Sequence, residues 1–360
     1  VKRFFLLPLL LLCFYAGFAQ DFTPLDNWLA QAAPLMGGRA LLVLYKDGKV
    51  VYSHSAGRLN ATQQAMGRMI ARRQGMEPNL GELTMNTQMA IASCSKWLSA
   101  ALVMTFVDEG RLKLTDTIGK YLPVLSPAGK GNITISDCLS HLTGIKAPPL
   151  RQEQQTMGKA TTMEESVQII SELPMEGQPG KVFHYSSIGL QLAAAVLEKI
   201  SGKDFRTLFR ERIANPLHMN STNFGDQPVP QPAGSARSTP ADYIQFLSMI
   251  LNKGQFEGKQ ILSKEALAAM QANRISQEVT IAYSPAEAGQ FGYGYGEWVM
   301  KDHTVTSPGL FGSFPWVNND AQYAGFLMTF YLDSDGRHAR MVELKHLCDQ
   351  VFQGQSALTK

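Results

Sequence analysis

Ser93 and Lys96 stand three residues apart in Ser93-Cys94-Ser95-Lys96, the one Ser-x-x-Lys of the chain. At that spacing two side chains share one face of a helix. A serine hydroxyl is a weak nucleophile until a base takes its proton, and a lysine whose pKa is lowered by desolvation can be that base. The pair therefore has the parts of a serine hydrolase centre that needs no histidine. About one such pair is expected by chance in a chain this long, so its surroundings decide its meaning.

A second group that could move protons is Tyr185 in Tyr185-Ser186-Ser187, just before an apolar helical pattern. A phenol beside a cationic lysine can relay a proton between nucleophile and leaving group; a tyrosine packed in the core with its hydroxyl satisfied is the plainer alternative. A third is Ser307-Pro308-Gly309-Leu310-Phe311-Gly312-Ser313 beside a strand. Small residues there let a substrate approach the backbone, and the following N–H can serve as an oxyanion donor; a plain turn is the alternative. His141 reads as a packing or capping residue and His303 as a surface histidine near this third segment. Cys94 reads as a small buried residue, and Ser95 points away from the Ser93–Lys96 face. Trp298 and Trp316 either line an apolar pocket or pack the sheet.

The elements that must hold these residues begin with a hairpin. Arg39–Tyr45 and Lys49–Ser53 flank Lys46-Asp47-Gly48, and Asp-Gly is a strong two-residue turn signal. From Ser93 to about Glu109, Leu98, Leu102, Val103, Phe106 and Val107 recur at helical spacing, with Gly110 placed to end the helix. Ser93 thus falls at a helix N-terminus, where backbone N–H groups are free to bind developing negative charge. Helices are expected over Ile135–Leu142, Met163–Leu173, Ser186–Gly202 and Phe205–Ala214. A Pro-rich link, Gln227–Pro240, reads as an irregular surface crossing. It leads into a helix capped by Ser238 or Thr239, with Pro240 at its first position. Tyr293–Met300 and Tyr323–Tyr331 read as strands, with Ser307–Val317 between them, and a final helix runs from about Arg337 to Phe352. Strands at both ends with helices between predict an α+β fold: an antiparallel sheet built from both chain ends, flanked by helices, with a mostly helical inserted subdomain. The α/β part is expected over about 25–92 and 241–360, and the helical part over about 93–240.

The 360 residues are 45% hydrophobic and 18% charged, enough for one large domain or two intertwined ones. Residues 1–19 carry Lys2 and Arg3, an apolar run from Phe4 to Phe14, and small residues Gly17 and Ala19, the pattern of a cleavable signal peptide. The run is short for a spanning helix and contains Pro8, so residues 20–360 are expected to be periplasmic or secreted, without stable membrane insertion. Losing Lys2 and Arg3 takes the formal charge from +3 to +1, which leaves no electrostatic case for nucleic acid. Cys94, Cys138 and Cys348 then remain, too widely spaced for a disulfide framework or a metal knuckle. No His-Glu-x-x-His, Cys-x-x-Cys or Gly-x-Ser-x-Gly occurs, so neither metal, cofactor nor an ordinary α/β-hydrolase elbow is expected.

In this order, the three segments resemble the serine β-lactamase and penicillin-binding superfamily, closest to the class C β-lactamase-related branch with its esterases and D-amino acid peptidases. The resemblance extends through Phe106–Asp116, His141-Leu142-Thr143-Gly144, Phe183-His184-Tyr185-Ser186-Ser187-Ile188-Gly189 and Phe291–Gly296. It implies a β-lactamase/transpeptidase-like fold, with Ser93 as acylated nucleophile, Lys96 as its base and Tyr185 as the second proton-transfer group. It also implies an oxyanion hole from the N–H groups of Ser93 and Leu310, and substrate contacts from Ser187, Ser307 and Gly309. Where the family's tyrosine motif often ends in asparagine, this chain has Ser187. Where its third motif is usually Lys-Thr-Gly or His-x-Gly, this chain has Ser307-Pro308-Gly309, and the cation that grips a substrate carboxylate is gone. The expectation is a hydrolase of an ester or small amide. A β-lactamase or DD-peptidase acting on penicillin or cell-wall peptide is the first alternative, and a non-catalytic binder of cell-wall fragments the second.

Overall fold

The structure, a computed structural model, describes residues 20–73 and 78–356. Residues 1–19, the expected signal peptide, lie outside the described residues. The chain opens with α1 (Thr23–Ala32), β1 (Arg39–Lys46), β2 (Lys49–Gly57) and α2 (Ala61–Arg73). β3 (Met89–Ala90) leads directly into α3 (Cys94–Asp108). The middle holds α4 (Ile135–Leu139), α5 (Leu150–Met157), α6 (Met163–Glu172), β4 (Val182–His184), α7 (Ile188–Ser201) and α8 (Phe205–Phe209), which widens into a π-helical turn at Arg210–Ala214. Next come β5 (Arg237–Ser238), α9 (Pro240–Leu251), β6 (Gln255–Phe256), β7 (Lys259–Gln260), α10 (Lys264–Gln271) and β8 (Thr280–Tyr283). β9 (Gly292–Tyr293), β10 (Trp298–Val299), β11 (Thr304–Thr306), β12 (Phe314–Asn318), β13 (Tyr323–Thr329) and α11 (Arg337–Ser356) follow.

The main sheet is seven-stranded and antiparallel, in the order β2-β1-β13-β12-β11-β10-β9, so the two ends of the chain meet at β1 and β13. Leu42 opposes Leu327 and Leu44 opposes Gly325. β1 reads as an apolar run because both of its faces are buried. Leu41 and Val43 face the core that contains α3, α7 and α9, whereas Ala40, Leu42 and Leu44 face α1 and α11. The result is a sheet sandwiched between two helical layers, as the strand-helix-strand pattern predicted.

α3 is buried all round from Cys94 to Phe106, which makes it the central helix of the fold and not an amphipathic one. Gly110 follows its end with φ 68°, as expected of a C-terminal glycine. Thr239 caps α9 by accepting the Asp242 N–H at 3.1 Å, with Pro240 in the first turn.

Two expectations are corrected. Tyr293–Met300 is not one strand: β9 and β10 pair with each other across a turn at Gly294-Tyr295-Gly296. The Pro-rich link is not a surface crossing. From Val229 to Pro240 it is largely buried, and its carbonyls accept side-chain donors from the core helices. Ser99 Oγ donates to the Pro232 carbonyl at 2.7 Å and Gln191 Nε2 to that of Pro230 at 3.3 Å. Outside β5, which pairs with β3, this irregular backbone is tolerated inside the protein because such donors meet it.

Candidate active site

Ser93 is the N-cap of α3, and its hydroxyl makes no cap bond to its own helix. It is partly exposed, while residues 91–92 and 94–106 are buried, so solvent reaches the start of the central helix at this side chain. The preceding residue, Ala92, has φ 46°, an unusual left-handed conformation for a residue with a side chain. Ser95 braces it, donating to the Ala92 carbonyl at 2.5 Å while accepting the Ala236 N–H at 3.0 Å. Tyr243 of α9 adds a hydrogen bond to the Cys94 carbonyl at 2.9 Å. Cys94 itself is buried against Ser313, and burial pushes its thiol well above the usual range.

One turn on, Lys96 Nζ donates to Ser93 Oγ at 3.1 Å and to the Ala233 carbonyl of the Pro-rich link at 2.9 Å. Burial pulls its pKa down to about 8, opposed in part by the negative charge of Glu153. Once the amine is neutral, the Ser93 contact reverses and the hydroxyl proton points at the nitrogen lone pair. Nζ also lies 4.6 Å from the ring centroid of Tyr185. Tyr185 stacks on Trp298 at 5.3 Å and rests on His141 at 4.6 Å. His141 has φ 59°. Its Nδ1 accepts the Ser186 N–H at 3.4 Å, so the neutral ring donates from Nε2 to Tyr293 Oη at 3.0 Å. Burial, with Lys96 and His184 nearby, holds its pKa well below the usual histidine value. It supports Tyr185 from below as a neutral group.

The third segment packs across the start of α3. Ser307 Oγ reaches the Ser93 and Gly296 carbonyls, each at 3.1 Å, so its hydroxyl turns inward and ties the two elements together. Gly309 passes so close to β3 that a Cβ there would stand 2.4 Å from the Ile91 carbonyl oxygen. Its own N–H goes to the Ser313 carbonyl at 2.8 Å. The Ser93 and Leu310 N–H groups find no acceptor among the described residues, and Leu310 is 39% exposed at the lip of the site. Of the residues expected to touch substrate, Ser307 and Gly309 thus have their donors engaged within the protein. The Ser187 N–H is engaged too, by Glu153 Oε1 at 2.9 Å.

Sequence reasoning missed Glu153 and the Ala233 carbonyl, for neither belongs to a local pattern. It also missed Glu297, whose carboxyl oxygens are both buried without a hydrogen-bond partner among the described residues. Burial pushes that carboxyl well above the usual range. His303 does not stand in for the missing cation. It lies in the turn before β11, at the end of the strand opposite Ser307, where it pairs with Asp320 at 3.3 Å. Trp316 packs against Phe314 on the α1/α11 side of the sheet, whereas Trp298 backs Tyr185.

Comparison with known proteins gives the chain's fold and family relatives. A crystal structure of a "putative beta-lactamase" from Bacteroides dorei is 26% identical, covers 93% of this chain and 99% of its own, and superposes with a TM-score of 0.76. EstCE1, a hydrolase with promiscuous acyltransferase activity, is 18% identical over 89% of this chain and 97% of its own, with a TM-score of 0.71, a likeness of fold. Among curated relatives, Protein Rv1367c of Mycobacterium tuberculosis is 24% identical over 64% of this chain and 72% of its own length. The D-alanyl-D-alanine-carboxypeptidase/endopeptidase AmpH of Escherichia coli is 22% identical over 63% of this chain. The chain spans 64% of that enzyme's length. The family model described as Beta-lactamase matches residues 32–347. Matched over most of its length, the chain belongs to the Beta-lactamase family of serine hydrolases.

Proposed function

We propose that the protein is a periplasmic or secreted serine hydrolase that forms an acyl-enzyme on Ser93 and hydrolyses an ester or small amide. The observation that carries this reading is the 3.1 Å contact between Ser93 Oγ and a buried Lys96 whose ammonium form burial disfavours. Neutral Lys96 takes the Ser93 proton as Oγ adds to the substrate carbonyl. The Ser93 and Leu310 N–H groups hold the oxyanion, an interaction that typically contributes on the order of 100-fold or more per donor. Collapse breaks the bond to the leaving group, which receives the proton through Lys96 and Tyr185. Water then attacks the acyl group, gives its proton to the same base and restores Ser93. The ester or small-amide preference is supported by the third segment: a Ser307 hydroxyl turned inward and a paired, distant His303 offer no cation for a substrate carboxylate. Residues 1–19 would direct export, and no nucleic-acid or membrane partner enters the reaction.

A fluorophosphonate probe labels wild-type protein and leaves Ser93→Ala unlabelled. Folded wild-type protein that takes up no probe would overturn the enzyme reading and favour a binder of cell-wall fragments, and equal labelling of Ser93→Ala would overturn the nucleophile. Short p-nitrophenyl esters turn over faster than nitrocefin. The reverse order returns the protein to the β-lactamase or DD-peptidase reading that its carboxypeptidase relative suggests.

A further inference from the structure

Helix α5 is built the wrong way round for a helix that docks by hydrophobic burial. Its one buried side chain is Glu153, only 4% exposed, while Leu150 stands out in solvent at 46%. Charged residues are almost never fully buried unless paired, and a buried carboxylate costs several kcal/mol before compensation, on the order of what a whole docked side chain contributes. A leucine at this position would be the cheaper way to pack the helix. The carboxylate is therefore better explained by what it meets.

It meets the catalytic turn. Glu153 Oε1 accepts the N–H of Ser187, the N-cap of α7, whose own side chain caps nothing. The carboxylate thus closes the positive end of a 14-residue helix from outside it. Ser187 is the last residue of Tyr185-Ser186-Ser187, so the same bond pins the turn that lays the Tyr185 ring against Lys96. The titratable groups whose charge bears on Glu153 are Lys96 of α3 and His184 of β4, and His184 Nδ1 lies 2.5 Å from Glu176 Oε1. His141, the remaining titratable ring beneath Tyr185, is neutral. Burial pushes the Glu153 carboxyl up, while Ser187, Lys96 and His184 all favour its charged form.

We propose that Glu153 is a positioning residue of the hydrolytic centre: it anchors the Tyr185-Ser186-Ser187 turn through the Ser187 amide and supplies the buried negative charge that balances Lys96. This rests on the serine hydrolase reading, in which Lys96 acts as a neutral base. Acylation then rises with pH as Lys96 loses its proton near about 8. Removing a neighbouring negative charge makes the ammonium less stable, so the rise moves to lower pH.

The experiment measures the rate of fluorophosphonate labelling from about pH 6 to 10 for wild type, Glu153→Gln and Glu153→Ala. Glutamine keeps an acceptor oxygen for the Ser187 N–H and loses only the charge. Its acid limb shifts down by about half a unit or more, and its plateau falls less than that of alanine. Alanine loses both functions: the limb shifts likewise and the plateau drops by about 10-fold or more. A purely structural role predicts no shift of the limb in Glu153→Gln. An unshifted limb in that variant overturns the charge assignment, and a wild-type plateau in Glu153→Ala overturns the anchor. If Glu153→Ala does not fold, Glu153→Gln, checked by its circular dichroism and melting curve, still decides the charge. Failure of the hydrolase reading itself looks different: wild type is unlabelled, or Ser93→Ala labels as wild type does.

Discussion

Lys96 is held by contacts that suit a base more than a surface cation: a serine hydroxyl, a main-chain carbonyl and the face of an aromatic ring. Replacing it with alanine removes the proposed proton acceptor while α3, packed on every side, stays in place. Lys96→Ala is expected to slow labelling by about 100-fold or more with little change in melting temperature. A loss of only a few-fold would mean that Lys96 is a packing lysine and that the proton goes elsewhere. Ser93 and Lys96 were legible in the sequence because their geometry is local: three residues along one helix bring them together whatever the rest of the chain does. Tyr185 stood out in the sequence only as a candidate beside a core-packing alternative, and family resemblance had to choose between them, because its approach to Lys96 depends on how the turn before α7 sits on α3. Glu153 was not legible at all. Nothing in Arg151-Gln152-Glu153-Gln154 distinguishes a buried carboxylate from its solvated neighbours until α5 is seen against the Ser187 amide.

At the scale of elements, the site is the seam where α3, the β9–β10 turn and the loop after β11 touch. Gly296 sits in that seam with φ 77°, and a Cβ there would stand 2.6 Å from both the Lys96 carbonyl oxygen and Ala100 Cβ. Gly296→Ala therefore strains the turn and drives it off α3 at the Lys96 level. A destabilisation of about 2–4 kcal/mol is expected from denaturant unfolding, with slower labelling in whatever remains folded. Wild-type stability and labelling would show that the turn can yield. The same residue explains why Tyr293–Met300 misread as a single strand. Its aromatic alternation is real, but a left-handed glycine folds it back so that Tyr293 opposes Trp298. α3 read well because its apolar spacing runs for four turns. α5 did not declare itself because, between Leu150 and Met157, it carries only polar residues. The Pro-rich link misread because composition reports what a segment lacks, a regular hydrogen-bond ladder, and says nothing of whether core side chains meet its carbonyls.

For the molecule as a whole, Glu297, buried with no hydrogen-bond partner for its carboxyl among the described residues, makes global stability depend on pH. Burial holds its folded pKa well above the ordinary glutamate value of 4.5, so the native state keeps a proton that the unfolded chain releases. The group is neutral in both states below that value, and its cost grows as pH rises from there toward the folded pKa. Glu297→Gln removes the titration while keeping the shape. Its melting temperature relative to wild type should be near zero at acid pH and rise by a few degrees at mildly alkaline pH. A difference that does not change with pH would mean that the carboxyl is ionised or partnered in the native state. The sheet has another consequence, one of timing. Ser93 and Lys96 lie in the first third of the chain, yet β1 finds its partner at Tyr323–Thr329 and the Leu310 amide comes from the loop before β12. Pairings this distant in sequence form late. Under the proposed mechanism, a growing chain therefore carries Ser93 and Lys96 long before the Leu310 amide that would stabilise an oxyanion, and gains its full site only when the last strand closes the sheet.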